Sequence, residues 1–203
     1  MKKILHIISS PRGDASLSVQ LGNAIIDKLQ AAHPGSTVAV HDLTAGVLFP
    51  HLEEVHLRSF FTPAESRTAE LTAAVRHSEE AIAEILAADI LVIDAPVYNF
   101  NIPSTLKAWI DHIVRAGITF KYDEHGAHGL INGKQAYIAL SSGGIFSEGP
   151  LQPLDFVAPY LKHILGFIGI TDTTVFRVEG SALTGIKETA LEKGISKIRL
   201  AAA

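Results

Sequence analysis

The sequence contains no cysteine. That excludes a disulfide framework, a thiolate nucleophile and any metal site built on cysteine. It fits a reducing compartment without requiring one. There is no excess of positive charge either. Lys and Arg number 17 against 21 Asp and Glu, a net charge of −4, so a nucleic-acid or anionic-membrane surface has no support. No apolar run approaches the ~20 residues of a membrane span. The short apolar run at residues 1–8 lacks the full hydrophobic region and small-residue cleavage site of a signal peptide. These absences predict a soluble, cytoplasmic protein that engages neither membrane nor nucleic acid.

Several nucleotide and hydrolase signatures are missing as well. There is no G-x-x-x-x-G-K-[ST] loop and no G-x-G-x-x-G turn, so a P-loop and a Rossmann NAD site are disfavoured. No G-x-S-x-G elbow points to a serine hydrolase. The ten histidines raise the question of a metal, but His51 and His56 flank two glutamates without the H-E-x-x-H spacing. The stretch Asp123, Glu124, His125, His128 reads as a solvated loop. No metal is expected, and His112, on a helix pattern with Trp109, reads as a packing residue.

What is present is a core. Hydrophobic residues make up 47% of 203 residues and charged ones 19%, which disfavours disorder and suits one domain over residues 1–203. Five apolar runs recur, at residues 4–8, 38–43, 90–93, 136–140 and 173–178. Unbroken runs rich in β-branched residues suit strands buried on both faces of a parallel sheet. Between them lie helical stripes. Leu17, Leu21, Ala24, Ile25 and Leu29 form the first, and Leu71, Ala74, Val75, Ile82, Ile85 and Leu86 the second. Leu106, Trp109, Ile110, Ile113 and Val114 form a third, opened by Pro103 and closed near Gly117. Two more lie around residues 161–168 and 186–200. The pattern predicts an α/β, doubly wound, five-stranded parallel sheet with helices on both faces. Residues 45–63 and 119–133 fall outside it and read as loops or short excursions.

In such a sheet ligands bind beyond the carboxyl ends of the strands, where the strand order reverses. Three loops qualify. The loop after strand one holds Ser10, Arg12, Ser16, Leu17 and Ser18 and runs straight into a helix. Hydroxyls and the free N–H groups of a helix start can hold a phosphate; the plainer reading is that Ser16 or Ser18 caps the helix. The loop after strand three, Pro96, Val97, Tyr98, Asn99, Phe100, Asn101, is stiffened by prolines at 96 and 103. It can present amides to the edge of a flat heterocycle, or be an ordinary turn. The loop after strand four, Ser141, Ser142, Gly143, Gly144, lets backbone come close to a ligand, or is a flexible turn.

Taken together, these three loops resemble those of the FMN-dependent NADH:quinone oxidoreductases, also called azoreductases. Segments at 106–111, 115–120 and 165–170 are similar to that family too, and the likeness runs from about Lys3 to about Gly180. Val97 and Ser142 depart from it, standing where many members carry Met and Arg. The stretch 48–68 matches poorly. The resemblance implies that Ser10, Ser16, Leu17 and Ser18 hold the phosphate of FMN. It implies that Pro96, Val97, Tyr98, Asn99 and Phe100 flank the flavin ring, and that Ser141, Ser142, Gly143 and Gly144 meet its pyrimidine end. It further implies a flavodoxin-like sheet of strand order 2-1-3-4-5, a homodimer, and two-electron transfer from NADH or NADPH to quinones or azo compounds. No catalytic side chain is required, because the flavin carries the chemistry. A flavodoxin-type electron carrier and a non-redox regulatory domain are the alternatives. A receiver domain would need carboxylates after strand one, where the sequence reads Ile7, Ile8, Ser9, Ser10.

Overall fold

The computed structural model describes residues 1–200. Five parallel strands form the central sheet: β1 (Lys3–Ile8), β2 (Thr37–Asp42), β3 (Ile90–Pro96), β6 (Gln135–Ser141) and β7 (Asp172–Val178), in spatial order β2-β1-β3-β6-β7. With the inserted β4 and β5 set aside, this is the expected order 2-1-3-4-5. The remaining pair, β4 (Phe120–Asp123) and β5 (Gly126–Gly129), is a separate antiparallel hairpin. The helices are α1 (Leu17–Ala32), α2 (Glu54–Phe61), α3 (Ala69–Ala87), α4 (Ser104–Ile113), α5 (Val157–Phe167) and α6 (Ala190–Ser196).

Each apolar strand splits its side chains between two cores, as the two-residue period of a strand dictates. Ile4, Ile90 and Val92 point to one face, where Leu21, Ile25 and Leu29 of α1 meet Ala190 of α6. Leu5, Ile7, Leu91 and Ile93 point to the other, against Ile82 and Ile85 of α3, Leu106 and Trp109 of α4, and Leu161 and Leu165 of α5. Every residue of β3 is buried, which explains a run with no polar alternation before Asp94. The edge strand β2 is different: Val40 is 60% exposed, so burial on both faces fails there because nothing covers the sheet edge.

The structure corrects the sequence reading at three other points. Leu86 belongs to the α3 pattern but is 55% exposed, at the last turn of the helix where the core side has run out. The excursion at 45–63 contains α2, whose start is stabilised by the Glu53 N–H donating to His56 Nδ1 at 3.0 Å. The excursion at 119–133 contains the β4–β5 hairpin. That hairpin docks through glycine: a Cβ on Gly129 would lie 2.1 Å from the Gly169 nitrogen, so only glycine permits the approach.

Candidate functional site

The parallel register sets Ile8 beside Asp94, and Pro96 beside Ser141. The three loops therefore leave the sheet at one rim. Ser16, Leu17, Pro96, Val97, Tyr98, Ser141, Ser142 and Gly143 line one small hollow of about 120 Å³, with Arg12 and Ser181. Tyr98 also borders a larger cavity of about 920 Å³, with Asn99, Leu48, Thr44, Phe156 and Tyr160. Tyr98 of the strand-three loop borders both spaces.

At the α1 start, Ser16 occupies the residue before the helix in extended geometry, yet its hydroxyl does not cap it. It shares a 2.9 Å hydrogen bond with the Ser18 hydroxyl, and both are buried. The capping reading of Ser16 is thus overturned. The first-turn N–H groups, which have no intrahelical partner, are left for an anion, with the helix dipole in its favour. Ser10 lies behind this point, fully buried, its oxygen 3.4 Å from the Tyr98 hydroxyl.

The strand-three loop is a tight two-residue turn. The Tyr98 and Asn101 N–H groups each donate to the other's carbonyl at 2.9 Å. Asn99 and Phe100 at its tip have φ of +49° and +66°. Two successive non-glycine residues in the left-handed region cost about 1–2 kcal/mol each. Strain of this kind gathers where a ligand must be met. Phe100 is half exposed and meets the Phe146 ring edge-on at 6.1 Å.

The glycine loop is held by the segment following β7. The Gly180, Ser181 and Ala182 N–H groups donate to the carbonyls of Gly144, Ser142 and Gly143. Ser142 turns inward, donating to the Gly144 carbonyl at 2.8 Å, so its hydroxyl braces the loop. Among the described residues, the amides of Asn99, Phe100, Gly143 and Gly144 have no acceptor. Ser181, Thr44, Phe156 and Tyr160 were not foreseen in the sequence. They come from segments that carry no motif and reach the rim only through the fold.

The electrostatics of this rim are mild. Burial pushes the Tyr160 phenol up, so it stays protonated. Just inside, Asp94 is fully buried and bonded to His6 Nε2 at 2.7 Å. Burial raises its carboxyl to about 6 against the pull of His6. Its second oxygen, Oδ1, has no partner among the described residues, and a Cβ on Gly22 would lie 1.9 Å from it. The histidines weighed for a metal have other work. Asp123 pairs with His128 at 2.8 Å across the hairpin, and His56 helps open α2.

These residues fit a flavin mononucleotide. An uncapped helix start with two buried hydroxyls suits a phosphate, and unengaged amides on two facing loops suit the polar edge of a flat ring. The comparisons agree. A protein from Rhizobium etli named FMN-dependent NADH:quinone oxidoreductase 1 is 49% identical over 182 residues, 90% of this chain and 88% of its own. The crystal structure of an azoreductase from Bacillus anthracis superposes with a TM-score of 0.88 at 30% identity, over 97% of this chain and 96% of that one. An FMN-dependent NADH-azoreductase from the same species, solved in complex with FMN, gives 0.85 at 27% identity, over 96% and 95%. The family of flavodoxin-like fold matches residues 2–201. The chain therefore belongs to the flavodoxin-like family that includes the FMN-dependent NADH:quinone oxidoreductases.

Proposed function

We propose that this chain passes two electrons from NADH or NADPH to quinones, and to azo compounds, in ping-pong order. It is an FMN-dependent oxidoreductase of the NADH:quinone type. The observation that carries the finer reading is the convergence of all three loops on one hollow, with Tyr98 also bordering a large open cavity beside it. Ser16, Leu17 and Ser18 would hold the phosphate at the α1 start, with Ser10 supporting Tyr98 behind. Pro96, Val97, Tyr98, Asn99 and Phe100 would flank the ring, and Ser141, Ser142, Gly143 and Gly144 would meet its pyrimidine end. Bound FMN would supply the redox chemistry, two-electron exchange with a nicotinamide and with an acceptor.

The chain's own part is binding and orientation. The free amides of Asn99, Phe100, Gly143 and Gly144 favour negative charge near the ring edge. A cavity that took donor and acceptor in turn would give ping-pong order. Its lining carries Tyr98, Lys107 and Tyr160 but no carboxylate and no histidine, and in this reading solvent supplies the protons for the reduced acceptor. Arg67 is paired with Glu79 at 2.6 Å and is not free to select between NADH and NADPH. We also read the chain as one domain that works as a homodimer in the cytoplasm. Tyr122 on the hairpin is 70% exposed, Phe156 at the cavity rim 51%, and Ile118 beside the hairpin 48%; a second copy would cover such a surface. Among the described residues no helix is long and apolar enough to cross a membrane.

Stopped-flow absorbance tests the cycle. NADH mixed anaerobically with the FMN-loaded protein should bleach the flavin before any acceptor is added, and a quinone should then restore the colour. A flavin that bleaches only when both substrates are present contradicts the ping-pong order. A purified protein that consumes no NADH without a second reductase favours the electron-carrier alternative.

A further inference from the structure

Behind the Thr44–Leu48 wall of the large cavity lies a group of histidines that the redox chemistry does not use. His112 of α4 is fully buried. Its ring lies 5.3 Å from that of His56, 6.4 Å from His77, 5.5 Å from Phe49 and 5.9 Å from Phe60. His112 Nε2 is 3.0 Å from the Pro50 carbonyl oxygen. A carbonyl only accepts, so Nε2 carries the proton. Nδ1 is then the bare nitrogen, and it is buried without a partner among the described residues. A second proton on this ring would have no acceptor. The neighbouring His56 accepts the Glu53 N–H at its Nδ1.

This bond has a consequence for the site. Pro50 is two residues from Leu48, which lines the cavity together with Thr44 and Tyr98. Phe49, between them, is packed among the rings of His41, His77 and His112. We propose that His112 is a positioning residue for the acceptor site: its hydrogen bond to Pro50 holds the Thr44–Pro50 wall in place, and acidification releases that wall.

The surrounding charges set the direction. From α3, His77 faces the ring; from α2, His56 does; from α4 itself, Asp111 is near. Arg115 lies 4.7 Å over the neighbouring Phe60 ring, and His41, bonded to Glu84 at 2.6 Å, flanks Phe49. Around His112 itself the neighbours are mostly bases or cations. Burial holds its proton affinity below that of an ordinary histidine against the pull of the Pro50 carbonyl and Asp111, and His56 and His77 add to the lowering. The neutral ring is therefore the working form at neutral pH, and protonation at lower pH adds charge to a cluster that cannot neutralise it.

The proposal rests on the large cavity being the acceptor site, so its test includes a measurement made without acceptor. Hydrogen exchange of residues 44–61 is followed in the FMN-loaded protein, wild type and His112→Phe, alongside quinone kinetics. Phenylalanine keeps the packing and removes the donor. Loss of one neutral hydrogen bond predicts exchange about fivefold faster at 44–50, and KM for the quinone raised about fivefold with kcat changed less than about twofold. His112→Gln, which can still donate, should recover most of both. Wild type should drift toward the His112→Phe values as pH falls below about 6.5, while His112→Phe stays flat. Should His112→Phe fold poorly, the pH dependence of exchange in wild type against His112→Gln decides the matter. The proposal is overturned if the exchange at 44–50 is the same in wild type and His112→Phe, or if the acid-dependent change persists in His112→Phe. Altered exchange with unaltered quinone kinetics would keep the wall pinned by His112 but overturn the assignment of the cavity to the acceptor.

Discussion

At the scale of single residues, Asp94 sets the strongest electrostatic tension in the molecule. It stands at the end of an otherwise apolar strand, wedged against Gly22, with one oxygen on His6 and the other unsatisfied. Its carboxyl moves from the ordinary 3.8 up to about 6, because burial disfavours the charged form. The folded state thus binds this proton more tightly than the unfolded chain. Stability from Asp94 is complete below about pH 4 and is lost as pH rises through about 6. At 1.36 kcal/mol per unit the loss is about 3 kcal/mol. The variant Asp94→Asn does not titrate. Urea unfolding of both proteins across about pH 4 to 7 should move their stability difference by about 3 kcal/mol in favour of the variant. A difference that stays constant with pH would mean that Asp94 has an ordinary carboxyl.

The same scale shows what the sequence conceals. The hydroxyls of Ser16 and Ser18 were legible as phosphate ligands and equally as helix caps, because both readings need a short polar side chain before a helix. Only the bond between the two hydroxyls decides against the cap. His112 read as packing, and it does pack. Its bond to Pro50 joins residues 62 positions apart, and no local pattern records a partner at that distance.

At the scale of elements, the sheet was legible and the insertions were not. Runs such as residues 90–93 announce a buried parallel strand by being apolar without alternation. The β4–β5 strands have four residues each and carry Lys121, Tyr122, Asp123 and His128 among glycines, so neither length nor hydrophobicity marks them. The strand-three loop was placed from its prolines, but its conformation was hidden, since nothing in Asn99-Phe100 requires two left-handed residues. That conformation yields a prediction. Asn tolerates the left-handed region better than most residues, whereas a β-branched side chain does not. Asn99→Val should lower the stability of the apoprotein by about 1–2 kcal/mol and weaken FMN binding at least about tenfold as the turn rearranges. Thermal unfolding and flavin fluorescence measure the two effects. Unchanged flavin affinity would show that the turn does not contribute to the site.

At the scale of the whole molecule, parallel pairing does what no single loop can: it brings residues about 10, 97 and 142 to one rim. The principle that ligands gather at the switch point located those loops before any contact was known. It could not locate Thr44, Phe156, Tyr160 or Ser181, which depend on how the later helices and the segment after β7 return to the rim. The proposed dimer is also a property of this scale. Sedimentation equilibrium at micromolar concentration should give a mass twice the 21.7 kDa of the chain. A value of one chain would leave the exposed Tyr122 and Phe156 without a covering copy. The central claim, that the α1 start and the two facing loops grip one FMN, is tested most directly by titrating flavin-free protein with FMN and following flavin fluorescence, for wild type and Ser16→Glu. The account predicts saturable binding of one FMN per chain by wild type, and loss of at least about a hundredfold in affinity when a carboxylate occupies the phosphate position. Equal binding by the two proteins, or none by wild type, would contradict it.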